Sequence, residues 1–208
     1  MLQPVTLEGR HVRLEPLSLE HVPALAEASS GPRETFVYTL VPNGEAETRQ
    51  FIEDALSMQA AGTALPFASV DRATGRVVGT TRFCYIEFWD WPEGSPHQRG
   101  TDLPDAVEIG YTWLALEAQR TAINTEAKLL MLTHAFEVWR VHRVRLVTDA
   151  RNDRSRKAIE RIGARFDGIL RAARTAFDGG IRDSAYYSML DSEWPEAKKQ
   201  LTERRQLS

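Results

Sequence analysis

The sequence predicts a single α/β (α+β) domain, residues 1–208, in which helices flank a sheet. Strand-like and helix-like segments alternate along the chain, and about seven segments have the alternation or the β-branched and aromatic content of strands. The most apolar helical run, residues 125–140, follows a strand-like run after a short polar turn. With 208 residues, 42% of them hydrophobic, the chain can build one core of ordinary size.

The first half of the chain is predicted to hold one strand, two helices and a hairpin. Residues 11–16 alternate like a half-buried strand, and helices are expected from Ser18 to about residue 29 and over residues 45–61. Strands at 65–71 and 76–87 enclose a turn at 71–75, which favours an antiparallel hairpin. Residues 88–106 hold two tryptophans and three prolines, and we expect an ordered loop that is a substrate-side lid, a dimer contact or simple surface variation.

The next strand, Val107–Leu114, contains one charged residue, Glu108. Strict alternation would place the odd-numbered side chains 107–113 on one face and Glu108 on the other. A carboxylate in such surroundings must be paired with a cation, solvated by a cleft or raised in pKa. The last two conditions suit a general base, while an arginine partner would make Glu108 structural.

A polar turn, Gln119–Ala127, precedes the long helix predicted at residues 125–140. The start of a helix favours anions because its first N–H groups lack partners and its dipole is positive there. Residues 140–165 hold nine basic residues against three acidic ones, although the net charge of the chain is −3. This cluster indicates either a site for a compact phosphate-bearing ligand or a solvated helix face, and the net charge argues against general nucleic-acid binding.

The long helix is expected to be buried on most sides. Its polar positions form a narrow stripe of Glu126, Thr133, Glu137 and Arg140. His134 falls among the apolar positions and is interpreted as a core histidine with one hydrogen bond.

The last third of the chain is predicted to contain a strand at 144–149, a helix that ends at Gly163, two strands at 165–174 and 182–190, and a short polar helix from Ser192. Asn152 and Ser155 share a helical face with two isoleucines, so they should look toward the sheet. Asn152 is expected to cap the helix, to contact a ligand, or both.

Composition argues against several kinds of protein. One cysteine, Cys84, excludes an internal disulfide framework, and five scattered histidines give no zinc-binding spacing, so no metal is expected. Cys84 lies in a strand-like run and is interpreted as a small buried hydrophobe. Because no signal sequence or membrane-spanning run is evident, we expect a cytoplasmic protein without membrane contact.

The order of these elements resembles that of the GNAT superfamily of N-acetyltransferases, and more closely its RimJ- and RimL-type branch. The resemblance covers nearly the whole chain and rests on four motifs: Leu7–Leu17, Glu108-Ile109-Gly110-Tyr111, the polar turn, and Asn152 through Ser155 to Ile162-Gly163-Ala164. It implies a GNAT fold, with a mixed, mostly antiparallel twisted sheet of about seven strands. In that fold a splayed central strand pair holds coenzyme A (CoA).

The resemblance also implies roles for particular residues. Glu108 would be the general base, Ser155 the acid for the departing thiolate, and a strand N–H near Tyr111 or Thr112 the oxyanion donor. Asn152 would contact the pantetheine arm of acetyl-CoA, and Arg154 and Arg156 would lie near its nucleotide. Its pyrophosphate would meet the turn formed by Gln119, Arg120, Thr121, Ala122, Ile123, Asn124 and Thr125.

The chain departs from the family pattern in two features, the phosphate turn and the acid for the thiolate. Ala122 and Asn124 replace small residues of the phosphate turn, where Asn124 is expected to act as an N-cap. Ile159 stands where many members have the tyrosine that protonates the thiolate. Ser155 is therefore the expected acid, ahead of Tyr186 or Tyr187.

The expected function is an acyl-CoA-dependent N-acyltransferase that moves acetyl to a primary amine by direct attack, because no strong nucleophile is evident. The amine would be a protein N-terminus, a small amine or an amino sugar, and it would lie beside the first helices and the loop at 89–104. An acidic bias there would favour a cationic acceptor. A non-catalytic acyl-CoA sensor, a transferase for another acyl group such as succinyl, and a homodimer remain open.

Overall fold

The computed structural model describes residues 2–206 and the side chains of residues 2–203. Within this range one sheet contains β1 (Leu7–Glu8), β2 (Val12–Pro16), β3 (Ala64–Asp71), β4 (Val77–Glu87), β5 (Ala106–Leu114), β6 (Arg143–Asp149), β7 (Arg165–Thr175) and β8 (Ile181–Leu190). The helices are α1 (Val22–Ala28), α2 (Gly44–Ala60), α3 (Ala122–Thr133), α4 (Asp153–Arg161) and α5 (Trp194–Gln206). No helix in this part of the chain is both long and apolar enough to cross a membrane.

The eight strands follow the order β1-β2-β3-β4-β5-β6-β8-β7, and all neighbours are antiparallel except β5 and β6. This confirms the predicted mixed, mostly antiparallel sheet, with the two-residue β1 as one strand more than expected. The parallel pair extends only from Ala106 opposite Arg143 to Glu108 opposite Arg145. Beyond Glu108 the two strands separate, which opens a cleft in the middle of the sheet.

Helices cover both faces of the sheet. On one face, Phe51 of α2 contacts Arg82 of β4, and Phe36, between α1 and α2, packs edge-on against Trp113 of β5. On the other face, Trp139, just after α3, packs against Phe83 of β4 with 4.6 Å between ring centroids. The core therefore has two layers, one on each side of the central strands.

The helix at the polar turn starts earlier than predicted. It begins at Ala122 rather than Thr125, and Thr121 is its N-cap, with the Thr121 hydroxyl accepting from the Ile123 N–H at 3.3 Å. The expected N-cap role of Asn124 is therefore wrong. After Thr133 the chain continues as a π-helical segment, His134–Val138, so that the predicted single helix at 125–140 changes geometry in its last part.

A β-bulge in β5 overturns the predicted face alternation. Gly110 pairs with Arg82 and Trp113 with Thr80, so β5 carries one extra residue at this point, where Tyr111 has a positive φ of 51°. The bulge moves Thr112 to the face of α3, while the Tyr111 ring stacks on Arg82 at 4.0 Å on the opposite face.

Glu126 is buried rather than part of a polar stripe. Its side chain is 1% exposed, and its carboxylate accepts hydrogen bonds from the backbone N–H groups of Arg10, His11 and Val12 at 2.5–2.9 Å. A Cβ at Gly9 would lie 2.4 Å from the Glu126 carboxylate oxygen. The Glu126 carboxylate therefore connects the start of β2 to α3 through these hydrogen bonds, and glycine at position 9 leaves room for it.

The loop between β4 and β5 packs away from the cleft. Asp105 accepts hydrogen bonds from the Trp89 backbone N–H and the Trp91 indole, both at 2.7 Å, and the Trp89 ring stacks on His142. These contacts gather at the start of β5, whereas the cleft opens beyond Glu108. The predicted substrate-side lid is therefore wrong for this loop.

Candidate active site

The space between the separated strands forms a cavity of about 1880 Å³. Its lining includes β5 from Glu108 onward, β6 at residues 145–148, the first turn of α3, the start of α4, the connection at residues 34–40, and the β7–β8 hairpin. The cavity has a helix side, formed by α3 and α4, and a hairpin side, formed by the connection and the hairpin.

On the helix side, the turn before α3 presents the anion-binding features that the sequence predicts. Arg120 has a left-handed backbone with φ of 63°, which turns the chain into the helix at Ala122. The first N–H groups of a helix lack intrahelical partners. Among those at the start of α3, Thr121 caps the N–H of Ile123. The Ile123 side chain lies in the core, 6% exposed, so its contribution is limited to the backbone.

Gln119 connects the two helix starts. Its amide nitrogen donates to the Leu114 carbonyl at 2.9 Å, and its amide oxygen accepts from Arg154 of α4 at 2.9 Å. Arg154, which also lines the cavity, is thereby held beside the turn before α3. Lys157 and Arg161 of α4 also line the cavity, and together with Arg154 they give this side positive charge.

The start of α4 confirms that Asn152 is an N-cap. Its side-chain oxygen accepts from the Ser155 backbone N–H at 3.0 Å. Asn152 and Ser155 both line the cavity, while Ile159 and Ile162 are 7% and 5% exposed and face the core. The predicted helical face is therefore correct.

Arg156 does not line the cavity, contrary to its predicted place beside a nucleotide. Its guanidinium donates to the Tyr187 hydroxyl at 2.9 Å and lies over the Phe166 ring. Tyr187 is fully buried and also donates to Glu160, so it cannot reach the cavity. Tyr186, its neighbour on β8, does line the cavity.

Glu108 lies where β5 and β6 separate, and its side chain lines the cavity. The residue is 8% exposed, and Glu108 Oε2 accepts from Arg145 Nε at 2.9 Å. Burial raises the pKa of Glu108, and the charge and hydrogen bond of Arg145 oppose that rise. A Cβ at Gly110 would sit 3.1 Å from the Glu108 carboxylate, so glycine leaves room for it. Both readings of the sequence hold in part, since Glu108 is paired with an arginine and also faces a cleft.

Lys128 of α3 is a buried cavity residue that the sequence analysis did not identify. Its ammonium donates to the hydroxyls of Thr112 at 2.7 Å and Thr81 at 3.2 Å, and the residue is 7% exposed. Burial lowers the pKa of Lys128 to about 7. In the sequence, the burial of Lys128 was indicated only by its position among apolar residues, two after Glu126. One of its two partners, Thr112, reaches it because of the bulge in β5.

Two other titratable side chains behave as expected from their burial. Cys84 is fully buried, and burial raises the pKa of its thiol, which confirms its interpretation as a small hydrophobe. His134 packs beside the Phe83 and Trp139 rings, and burial lowers its pKa, but the described residues give it no hydrogen bond of the predicted kind.

The splayed sheet and the paired helix starts define a fold of the acetyltransferase class. Residues 11–165 match the family model described as "Acetyltransferase (GNAT) domain". The chain belongs to the GNAT acetyltransferase family, as the sequence motifs predict.

Individual relatives agree with this assignment. A GCN5-related N-acetyltransferase from Brucella melitensis has a solved structure that is 31% identical, with a TM-score of 0.81, covering 97% of this chain and 85% of that one. Mycobacterium smegmatis RimJ in complex with CoA-disulfide shares the fold, at 20% identity and a TM-score of 0.79 over 97% of this chain and 95% of that one. YdaF of Bacillus subtilis (strain 168), provisionally named a ribosomal N-acetyltransferase, is 38% identical over 88 residues, or 42% of this chain. That match spans 47% of YdaF, about half of its length.

Proposed function

We propose that the protein is an acyl-CoA-dependent N-acyltransferase of the RimJ/RimL type that transfers acetyl from acetyl-CoA to a primary amine. The observation that carries the proposal is the position of Glu108, a largely buried carboxylate at the point where β5 and β6 separate. It shares one cavity with two helix N-termini suited to a phosphate-bearing ligand. Membership of the GNAT family and the naming of YdaF support the same activity.

The residues on the helix side fit acetyl-CoA. The N–H groups at the start of α3 and the side chains of Arg120 and Arg154 would hold the pyrophosphate, while Lys157 and Arg161 add positive charge beside it. Asn152 uses its amide oxygen for capping, so its amide nitrogen is available to the pantetheine arm. When bound there, acetyl-CoA supplies the activated acyl group as a thioester.

Glu108 is suited to remove the proton that an ammonium group must lose before it can attack. Burial raises its pKa, which makes the carboxylate a better proton acceptor near neutral pH. Arg145 keeps the carboxylate oriented and limits the rise. The freed amine forms a C–N bond at the acyl carbon, and the negative charge on the acyl oxygen is stabilised by a strand N–H near Tyr111 or Thr112.

As the C–S bond breaks, the departing thiolate would take a proton from Ser155 or from water, and the second proton that the attacking nitrogen loses would restore that donor. Ser155 lines the cavity and its backbone N–H is fixed by Asn152, so its hydroxyl is positioned on this side. The products are an N-acyl amine and CoA, and Glu108 passes its proton to solvent. The reaction needs no covalent enzyme intermediate.

Replacing Glu108 with glutamine tests this function. The variant should lose turnover by about 100-fold or more, as removal of a general base does, and should lose the rise of kcat with pH that follows ionisation of Glu108. Acetyl-CoA binding, measured by calorimetry, should stay within about threefold because the helix side is untouched. Unchanged kcat and an unchanged pH profile would refute Glu108 as the base.

Glu193→Gln is the matched control. Glu193 also forms an ion pair, with Arg165 at 2.8 Å, and lies just before α5 outside the cavity. It should keep its kcat even if it loses some stability. If wild-type protein binds acetyl-CoA but releases no thiol with a broad amine panel, the protein is an acyl-CoA sensor rather than an enzyme; turnover only with succinyl-CoA would change the acyl group and keep the mechanism.

A further inference from the structure

The hairpin side of the cavity carries positive charge without matching acids. Arg174 and Arg182 of the hairpin line the cavity near Glu108, and Arg145 of β6 lies beside them. Arg145 is paired with Glu108, whereas neither Arg174 nor Arg182 has a carboxylate within 4.0 Å among the residues that the structure describes. Glu34 is the other acid on this side, and it is exposed on the connection between α1 and α2. The described residues on this side therefore show no acidic bias of the kind that would favour a cationic acceptor.

Arg182 is a buried cation with unused donors. The residue is 8% exposed, and Nε donates to the Ser184 hydroxyl at 3.2 Å. Its two Nη atoms have no hydrogen-bond acceptor within the described part of the chain. The charge of Asp149 opposes part of this burial cost, but its two carboxylate oxygens are hydrogen-bonded to Arg151 rather than to Arg182. An unpaired buried charge is unfavourable, and burial lowers the pKa of Arg182 accordingly.

Arg174 adds a second positive charge at the same place. In the antiparallel β7–β8 ladder, Arg174 lies directly opposite Arg182. Like charges in such cross-strand pairs repel and destabilise a sheet. Both arginines act electrostatically on Glu108 and lower its pKa, so both lie near the proposed base. A guanidinium pair in this arrangement matches the two oxygens of a carboxylate or phosphate.

We propose that Arg174 and Arg182 bind an oxyanion group, a carboxylate or a phosphate, on the acceptor molecule and so direct its amino group to Glu108. This inference rests on the proposed transferase function, because it assigns the acceptor of that reaction. Phe177 and Leu40 line the same side and would contact the carbon skeleton between the two polar ends. The acceptor class is therefore an amine that also carries a negative charge.

Acetyl transfer to matched amines tests the acceptor class. The probes are β-alanine, 2-aminoethyl phosphate and the neutral β-alaninamide, together with amidated Ala-Glu-Ala and Ala-Gln-Ala peptides. We expect kcat/KM to be at least about tenfold higher for an anionic probe than for its neutral partner, or about 1.4 kcal/mol in transition-state binding. Comparing the first two probes distinguishes carboxylate from phosphate, and the peptides show whether the charge can be carried by a polypeptide.

Substitutions then connect the preference to these arginines. Arg182→Gln and Arg174→Gln should each lower the ratio of kcat/KM for anionic over neutral probes by about 10- to 100-fold, as loss of a hydrogen bond to a charged group does. Arg174 is exposed, so its variant keeps the test valid if the buried Arg182 variant does not fold. Arg171→Gln is the control, since Arg171 is exposed on β7 outside the cavity.

The possible failures are distinguishable. Equal transfer to neutral and anionic probes, or equal loss for both in the Arg174 variant, overturns the anion site and leaves the transferase function standing. Absence of thiol release with every probe, despite acetyl-CoA binding, overturns the transferase function and with it the acceptor assignment.

Discussion

Replacing Lys128 with methionine should stabilise the protein most at acidic pH and least at alkaline pH. Burial lowers the pKa of Lys128 to about 7 in the folded protein, against 10.5 for an ordinary lysine. Between these two pH values the unfolded chain binds more protons than the folded chain, so the stability of the wild type rises with pH across this window. Below about pH 7 Lys128 is charged in both states, and the folded state bears the whole cost of the buried ammonium.

The magnitude follows from the pKa difference. The gap from 10.5 to about 7 corresponds to about 5 kcal/mol, at about 1.4 kcal/mol per pKa unit. About 2.7 kcal/mol of this develops between pH 6 and pH 9, where most proteins can be studied. Methionine retains an unbranched, flexible apolar chain. The hydroxyls of Thr81 and Thr112 lie 2.7 Å apart and continue to bond to each other, so the substitution leaves no new unpaired group.

Urea unfolding of wild type and Lys128→Met at pH 6, 7, 8 and 9 measures the effect. The free energy of unfolding of the wild type should rise relative to the variant by about 2.7 kcal/mol over this range. Lys157→Met is the matched control, because Lys157 is exposed on α4. Its pH profile should follow that of the wild type. Parallel profiles for wild type and Lys128→Met would refute the reasoning and show that Lys128 keeps an ordinary pKa.

Two further predictions concern the hydrogen bonds that connect α3 to β2 and the proton donor for the departing thiolate. Glu126→Ala should lower the free energy of unfolding by about 3–5 kcal/mol in urea titrations, because three backbone N–H groups lose their acceptor. Gly9→Ala should destabilise in the same direction by about 1–3 kcal/mol through its clash with Glu126, and a neutral outcome in both variants would contradict this contact. Ser155→Ala should lower kcat by about tenfold or more while the Kd for acetyl-CoA stays constant; an unchanged kcat would assign the proton to water instead.

The order of elements was predictable because hydrophobic periodicity depends on residues close in sequence. The β3–β4 hairpin and the α4 face with Ile159 and Ile162 form as expected, since their burial patterns are visible in the sequence. The start of α3 was misplaced by three residues because Thr121 and Asn124 are both acceptable N-caps, and only the folded turn selects Thr121.

The sequence predicted which segments form the site, but it predicted fewer of the side-chain positions and contacts within it. Alternation along β5 fails at Tyr111 because a bulge inserts one residue, and no local pattern in the sequence marks it. Glu126 and Lys128 looked like ordinary helix residues, yet both are buried by partners more than ten residues away in sequence, in β2 and in the central strands. The position predicted for Arg156 was wrong for the same reason, because its partner Tyr187 is distant in sequence and lies on β8.

The charges around Glu108 connect acceptor binding with the chemistry. Arg145, Arg174 and Arg182 each lower the pKa of this carboxylate, while burial raises it. An oxyanion bound between Arg174 and Arg182 would add a negative charge that offsets part of their effect, and this raises the pKa of Glu108. Glu108 would therefore be a stronger base with an anionic acceptor in place than in the free enzyme. The acidic limb of the kcat profile, which reports the bound state, should then lie at higher pH than the limb of kcat/KM. If the acidic limbs of kcat and kcat/KM coincide with β-alanine as acceptor, anion binding does not change the base strength of Glu108.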